Sequence, residues 1–170
     1  MSKTTFTVAD DKKTLLVERT FNAPKHKLWN AYTDADALAQ WWGPIGWETE
    51  VKRFDFSEGG EWLYIMKCVD ENQGEWFGQL SAGKAVYSNI QPEDSFEYTD
   101  YFTDEQGVIN EAMPVSRTVL TLNENEDGST KLVTKTAYDT EAALKQVLEM
   151  GMEEGFGQTL DRLDDFVRAA

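Results

Sequence analysis

Six extended runs separated by turn signals fill the middle of the chain, and this alternation constrains the fold more than any other feature. The runs are 47–56, 61–69, 75–90, 95–103, 116–123 and 131–138. Their connections are short and rich in Gly, Asp, Asn and Pro, whereas a parallel crossover needs about a dozen residues or more. The segment therefore predicts an antiparallel sheet, in which Gly78 and Gly83 mark a bend, a bulge or two separate strands in the longest run.

Helices are predicted before and after this segment. A strand at 14–21 precedes Pro24, which opens a short helix, and Asp34 is the expected N-cap of a second one that ends at a Gly-Pro pair at 43–44. Apolar and small residues then recur every three or four positions over 140–167, as in one amphipathic helix. At about 1.5 Å per residue, that helix would run roughly 40 Å and lie across the sheet.

Glycines lie on the apolar stripe of this predicted C-terminal helix. Gly151 and Gly155 occupy stripe positions and Gly157 follows, although each interior helical glycine costs about 1 kcal/mol relative to alanine. Either the helix approaches the sheet closely at these positions, or space remains there for a guest molecule. Met150 and Met152 suit the adaptable lining of such a space, and they equally suit a packed core.

Two predicted strands carry aromatic and polar side chains at every second position. These residues are Trp62, Tyr64, Met66, Tyr98, Asp100 and Phe102. The chain contains 6 Trp, 6 Tyr and 9 Phe, which is more than a core of this size needs. Aromatic rings with a polar tip can orient a mostly apolar ligand, so the pattern favours a pocket.

Arg19 shares the apolar face of the first predicted strand. If that face looks inward, the guanidinium is buried and needs an anionic partner. It then anchors a ligand anion, pairs with an acidic side chain of the protein, or extends its charged end to solvent.

Residues of the kinds that catalysis and metal binding need are scarce. The chain has one histidine, His26, between two lysines, and one cysteine, Cys68, in an apolar strand. A catalytic triad or a zinc site would lack its residues. The turn at 123–128 resembles the start of a calcium loop, but Thr134 stands where a bidentate Glu is required. We therefore expect no cofactor, no metal and no catalytic residue, and favour a binding protein over an enzyme.

The charge balance excludes several classes of partner. With 31 acidic and 16 basic side chains the net charge is −15, which repels a phosphate backbone and an anionic lipid surface. Nucleic acid and membranes are therefore not expected partners. The N-terminal sequence lacks the apolar stretch of a secretory signal, and the lone cysteine fits a reducing compartment, so a cytoplasmic protein is expected.

Several motifs, in a fixed order, resemble one known superfamily. They are Arg19–Pro24 (Arg-Thr-Phe-Asn-Ala-Pro), Trp41–Pro44 (Trp-Trp-Gly-Pro), Gly59 and Gly60 with Trp62, and Gly151–Leu163. From about residue 14 to 167 the chain is similar to the START-like SRPBCC superfamily, in the branch named after the activator of the heat-shock-protein ATPase. The resemblance implies one domain over residues 1–170 with an α+β helix-grip (birch-pollen-allergen-like) fold. In that fold a curved antiparallel sheet surrounds a long C-terminal helix, and two short helices follow the first strand.

The resemblance also implies a cavity between the sheet and the C-terminal helix. Relatives across the superfamily bind lipids, sterols, polyketides or hormones, and some are cyclases or aromatases. A small, largely apolar molecule is therefore the expected ligand. The residues expected to bind it are Trp62, Tyr64, Met66, Tyr98, Phe102, Leu148, Met152, Phe156 and Arg19.

Two other functions stay open. A chaperone-related interaction domain would use the acidic second half of the chain to bind a chaperone. A cyclase- or aromatase-like enzyme would use Arg19, Tyr64, Tyr98 or Asp100 to polarise a substrate oxygen. No sequence feature indicates an oligomeric state.

Overall fold

Apolar and small residues at every second position build an antiparallel sheet in the computed structural model, which describes residues 4–169. Its eight strands are β1 (Thr5–Val8), β2 (Thr14–Phe21), β3 (Trp47–Phe54), β4 (Glu61–Cys68), β5 (Leu80–Gln91), β6 (Ser95–Thr103), β7 (Ser116–Glu124) and β8 (Thr130–Tyr138). The α-helices are α1 (Lys25–Thr33), α2 (Ala35–Trp41), α3 (Glu141–Glu149) and α4 (Met152–Ala169). None of the helices within residues 4–169 combines the length and apolar character needed to cross a membrane.

The strands follow the order β1-β2-β8-β7-β6-β5-β4-β3, and each neighbouring pair is antiparallel. The sheet is open, with β1 and β3 at its two edges. The pairing of β3 with β4 is regular except for a register shift between Val51 and Arg53. This arrangement confirms the predicted α+β helix-grip architecture, with two short helices after the first predicted strand.

Two features of the sheet differ from the prediction. The short edge strand β1 was not predicted, because only one of its four residues is even partly buried and no alternation marks it. The longest strand begins at Leu80 rather than at residue 75, since 71–76 forms a 3₁₀ helix. Gly78 precedes this strand, and Gly83 lies within its regular ladder, so no bend or bulge occurs at either glycine.

The prediction of one unbroken C-terminal helix over 140–167 is wrong. Helix α3 ends at Glu149, and α4 begins at Met152. Gly151, which lies between them, has φ +85° and is exposed. A residue with a Cβ rarely adopts this backbone conformation, so the glycine that seemed to belong to the buried stripe instead allows the chain to break the helix.

The remaining helical glycines do not bring α4 against the sheet. A Cβ atom added to Gly155 would meet Pro44 at 3.8 Å, an ordinary contact, and one added to Gly157 would have no neighbour within 4 Å. Close approach of the helix to the sheet, one of the two explanations for these glycines, is therefore not what the structure has. Gly155 instead lies against Pro44 of the loop after α2, and the space beside Gly157 is open.

Helix α4 packs through one apolar stripe and one arginine. Leu160, Leu163 and Val167 are almost completely buried in the main core. Arg162, on the flank of this stripe, donates to five backbone carbonyls of α2, the loop after it and the first residue of β3, and the two N–H groups of Nη1 are shared among four of them. The acceptors are Gln40 (2.9 Å), Trp42 (3.3 Å), Gly43 (2.8 Å), Pro44 (3.3 Å) and Trp47 (3.1 Å).

This arrangement predicts that Arg162→Lys lowers the free energy of unfolding by about 2–3 kcal/mol. A lysine keeps the charge but cannot present the planar fork, so several carbonyls lose their donor. Urea denaturation measures the loss. The matched control is Arg53→Lys, because Arg53 is exposed and pairs only with Glu61 at the surface, a pair worth about 0–1 kcal/mol. Equal losses in the two variants would contradict this role of Arg162.

Candidate functional site

One face of the sheet, here called the inner face, packs against the helices. Cross-strand pairing aligns Trp62, Ala85, Asp100, Ser116 and Tyr138 in one row of this face, from β4 to β8. Ala85 and Ser116 are small and buried. Asp100 is the acidic member of this row, which lies where β7 begins and β8 ends.

Trp42, at the C-terminal end of α2, fills the space between the inner face and α4. Its ring centroid lies 4.9 Å from that of Trp62, 5.9 Å from that of Tyr64 and 6.3 Å from that of Phe156. Trp62 and Tyr64 are themselves 4.5 Å apart. Three of the residues predicted to bind a ligand thus meet around a tryptophan that was not among them.

Gly83 allows Tyr64 to cross the neighbouring strand. Tyr64 and Gly83 are paired residues of β4 and β5, and a Cβ atom on Gly83 would lie 2.6 Å from Cζ of the tyrosine ring. Because glycine has none, the phenol lies over β5, and its hydroxyl donates a long hydrogen bond of 3.4 Å to Oδ1 of Asp100 on β6. The contact between Tyr64 and Asp100 therefore depends on the residue between them.

Asp100 is surrounded by phenols rather than by cations. Burial raises the pKa of its carboxyl to about 7, partly opposed by hydrogen bonds from the Tyr64 hydroxyl and the backbone of Tyr101. Burial and the nearby Asp100 charge raise the pKa of Tyr138 to about 12, and both also raise the pKa of Tyr64 and Tyr98. The three tyrosines stay neutral at physiological pH, whereas Asp100 changes charge near it.

Some polar atoms of the interior have no partner within the described part of the chain. They are Tyr32 Oη, Trp62 Nε1, Thr134 Oγ1 and Arg19 Nε. Tyr32 and Trp62 are each only 4% exposed. A buried donor or acceptor left unpaired costs about 1–3 kcal/mol, so these atoms identify the interior around the inner face as a place where further hydrogen bonds would be favourable.

Most residues predicted to bind a ligand keep some accessible surface. Six of them are neither buried nor fully exposed: Met66, Tyr98, Phe102, Leu148, Met152 and Phe156. Asp100 belongs to the same class. β8 ends at Tyr138, in the row of Asp100, and α3 begins three residues later, so the start of α3 lies at this end of the sheet. We call this end of the inner face the open end.

The structure places Arg19 apart from the other predicted residues. Its guanidinium is buried and forms ion pairs with Asp161 at 2.5 Å and Asp164 at 3.7 Å on α4. Arg19 lies three strands from Asp100 and six residues further along the strand direction. Usual strand spacings then put the two residues roughly 25 Å apart. Internal pairing, one of the three sequence-based alternatives for Arg19, is the arrangement found.

Sequence reasoning missed Trp42 and the role of Gly83. Trp42 was not among the residues predicted to bind a ligand, and the Trp-Trp-Gly-Pro motif that contains it was the available signal. Gly83 had no signal, since only the strand register reveals that Tyr64 lies across it. Asp100 was named in the aromatic and polar pattern of the predicted strands and for the enzymatic alternative, but not among the ligand-binding residues, and the structure brings it together with Tyr64 and Tyr98.

Two surface recesses lie away from the inner face. The larger, about 390 Å³, has walls of mixed charge along β3 and β4, including Glu48, Glu50, Ile65 and Lys67. The smaller, about 220 Å³, lies beside Arg19 near the sheet edge. Within residues 4–169 no three His, Cys, Asp or Glu side chains come together in a way that would hold a metal ion.

Comparisons with known proteins identify the family and agree with the fold. A family model described as "Activator of Hsp90 ATPase homolog 1-like protein" matches residues 22–168. A crystal structure of a Mycobacterium smegmatis protein is 30% identical, with a TM-score of 0.84, and the match covers 95% of each chain. A comparison with curated proteins finds none that matches.

Other solved structures share the fold. A solution structure of a Staphylococcus epidermidis protein is 28% identical, with a TM-score of 0.79, and the match covers 96% of this chain and 94% of that one. One from Arthrobacter aurescens is 23% identical, with a TM-score of 0.86 and coverage of 98% and 92%. At 23% identity, the similarity to the Arthrobacter aurescens protein shows a shared fold and nothing more.

The geometry predicts that Gly83→Ala lowers the free energy of unfolding by about 1–3 kcal/mol, because the new methyl group overlaps the Tyr64 ring. In a Tyr64→Leu background the same substitution should cost much less, since the ring is gone. Urea denaturation of the four proteins in this double-mutant cycle measures the coupling. Gly157→Ala is the control, and we expect it to be stabilising because its Cβ meets nothing. Additive effects of the Gly83 and Tyr64 substitutions would contradict the packing.

The raised pKa of Asp100 predicts that the stability of the fold depends on pH. A carboxyl whose pKa is higher in the folded than in the unfolded protein binds its proton more tightly when folded, so stability falls as pH rises from about 4 to about 7. Asp100→Asn removes this contribution. The variant should therefore gain stability relative to the wild type between pH 5 and pH 8, as measured by urea denaturation at both values. Asp165→Asn, an exposed position on α4, should show no such gain, and a pH-independent difference for Asp100→Asn would refute the assignment.

Proposed function

We propose that this chain, which belongs to the Activator of Hsp90 ATPase homolog 1-like family, binds a small, largely apolar molecule at the open end of the inner face. The observation that carries the proposal is the partial exposure of apolar side chains on this face. Met66 and Phe102 stand on the sheet and Leu148 and Met152 on the helices, and none is fully buried. Closing that surface with an apolar guest would be favourable by about 25 cal/mol per Å².

The break between α3 and α4 supports this location. Gly151 separates two helices that the apolar pattern alone would join, so that Leu148 and Met152 come from different helices. Methionine adapts to irregular shapes, and Gly157 leaves open space beside α4. A guest would lie between flexible side chains there, while Trp42 with Trp62 and Tyr64 forms the packed wall beside it.

A chaperone-related role is the second candidate. The family description names an activator of the Hsp90 ATPase, and exposed apolar residues cluster around the β4–β5 connection beside the acidic residues Glu71 and Glu75. These apolar residues are Val69, Trp76, Phe77 and Leu80, which are 42%, 54%, 50% and 46% exposed. An apolar patch with an acidic rim suits a protein partner better than an enclosed guest. A changed rate of ATP hydrolysis by Hsp90 on addition of the protein would support this candidate.

Binding of Nile red, a neutral apolar dye whose fluorescence rises in apolar surroundings, tests the ligand-binding proposal. We expect saturable binding that Phe102→Ala weakens about fivefold, because roughly 40 Å² of lost apolar contact is worth about 1 kcal/mol. The measurement is a fluorescence titration of the dye with each protein.

The matched control is Val119→Ala. Val119 is an apolar strand residue, 38% exposed, whose buried neighbours Thr118 and Leu120 point to the opposite, inner side of the sheet. Its substitution should leave dye binding unchanged. Absence of saturable binding, or equal effects of the two substitutions, would reject the inner face as the site.

A further inference from the structure

Asp100 is an acidic residue of the inner face at its open end, and it forms no ion pair within residues 4–169. Successive side chains of a strand lie alternately on the inner and the outer face of the sheet. The strand register therefore decides which charged residues lie on the inner face. Lys84, Arg117 and Lys135 occupy alternate positions from Ala85, Ser116 and Thr136, so they belong to the outer face. The groups that set the pKa of Asp100 are Tyr64 and the backbone of Tyr101, besides burial itself, and none is a cation.

The cation that does lie on the inner face is already used. Arg19 is bound by Asp161 and Asp164 at the far end of the sheet. A ligand carboxylate at the open end would therefore meet Asp100 without a compensating charge, and the net charge of −15 adds to the repulsion. The open end thus discriminates against anions.

Aromatic rings flank the same carboxyl. Tyr98 and Phe102 stand two residues before and after Asp100 on one face of β6, and Tyr64 reaches it from β4. The faces of aromatic rings attract cations, with about 0.5–2 kcal/mol per contact depending on burial.

A carboxylate between aromatic rings, next to half-exposed apolar side chains, is the arrangement that recognises an organic cation. We propose that the ligand of the open end is an apolar molecule with a protonated amine, whose ammonium group pairs with the Asp100 carboxylate. This inference rests on the proposed function and specifies the ligand class. The apolar body of the ligand contacts Met66, Phe102 and Met152, and the ammonium supplies the cation that Asp100 lacks.

Three probes that share a naphthalene ring system and differ in the charge of their substituent test the proposal. They are 1-naphthylmethylamine, 1-naphthalenemethanol and 1-naphthoate, compared by isothermal titration calorimetry at pH 8, where Asp100 is mostly ionised. We expect the amine to bind at least tenfold more tightly than the alcohol, and the carboxylate to bind most weakly. An alcohol that binds as tightly as the amine would overturn the proposal.

Asp100→Asn separates the charge from the shape of the site. The substitution is isosteric and removes a buried carboxyl that lacks a cation, so the fold should tolerate it. It should weaken amine binding at least tenfold and change alcohol binding less than threefold. Unchanged amine binding in this variant would overturn the proposal, and Tyr64→Phe, which keeps the carboxylate, should retain the preference for the amine.

Measuring the affinity of the unmodified protein for the amine and the alcohol at two pH values tests the same pairing without any variant. Between pH 8 and pH 5.5 Asp100 gains a proton, so the amine should lose affinity while the alcohol does not. Tyr64, Tyr98 and Tyr138, which face Asp100 from β4, β6 and β8, stay neutral over this range because their pKa values are raised. The charged residues of α3 and of the start of α4 are exposed: Glu141, Lys145, Glu149, Glu153 and Glu154. Equal amine affinity at both pH values would contradict the pairing.

Failure of this inference and failure of the proposed function give different results. If Nile red binds and Phe102→Ala weakens it, but the amine shows no preference, the ligand site stands and the amine is wrong. If neither the dye nor any naphthalene probe binds, the ligand-binding function itself is rejected.

Discussion

The hydrogen bonds of Arg162 hold together the parts of the molecule on which the inner face depends. The guanidinium of Arg162 on α4 donates to backbone carbonyls at the end of α2, in the following loop and at the start of β3. Trp42 lies within that loop, so the arginine also fixes the ring that separates α4 from Trp62 and Tyr64. One residue earlier on α4, Asp161 binds Arg19 on the sheet. The two arginines thus attach the middle of α4 to the loop after α2 and to the sheet, while Gly151, before the start of α4, is exposed.

This division explains how one fold can combine a firm core with an adaptable site. Leu160, Leu163 and the aromatic wall are close-packed, and they determine where α4 lies. The open end has methionines, a helix break and a carboxyl that is desolvated without a cation. Groups of this kind contribute little to stability and are available for binding, which is the usual relation between a scaffold and the site that it carries.

Local patterns in the sequence were sufficient for most of the architecture. Strand β7 was predicted because turn signals bound its extended run, and the short helices because of their flanking Pro and Gly. β1 was not, since an edge strand with a single half-buried residue carries no periodic signal. The break at Gly151 was missed because a glycine fits an amphipathic stripe as well as a left-handed turn. The contact of Tyr64 with Asp100 depends on register across Gly83, and the partners of Arg162 depend on a loop far away in the chain, so neither can be derived from local pattern.

The open sheet also bears on how the protein behaves in a crowded solution. An exposed edge strand offers unpaired backbone groups on which a strand of another molecule can assemble. At one edge β1 is only four residues long. At the other, β3 carries Glu48, Glu50, Lys52 and Arg53 and loses regular register at the bulge after Val51. Charge and irregular geometry together make this edge a poor template for intermolecular pairing, and so guard the molecule against aggregation through its sheet.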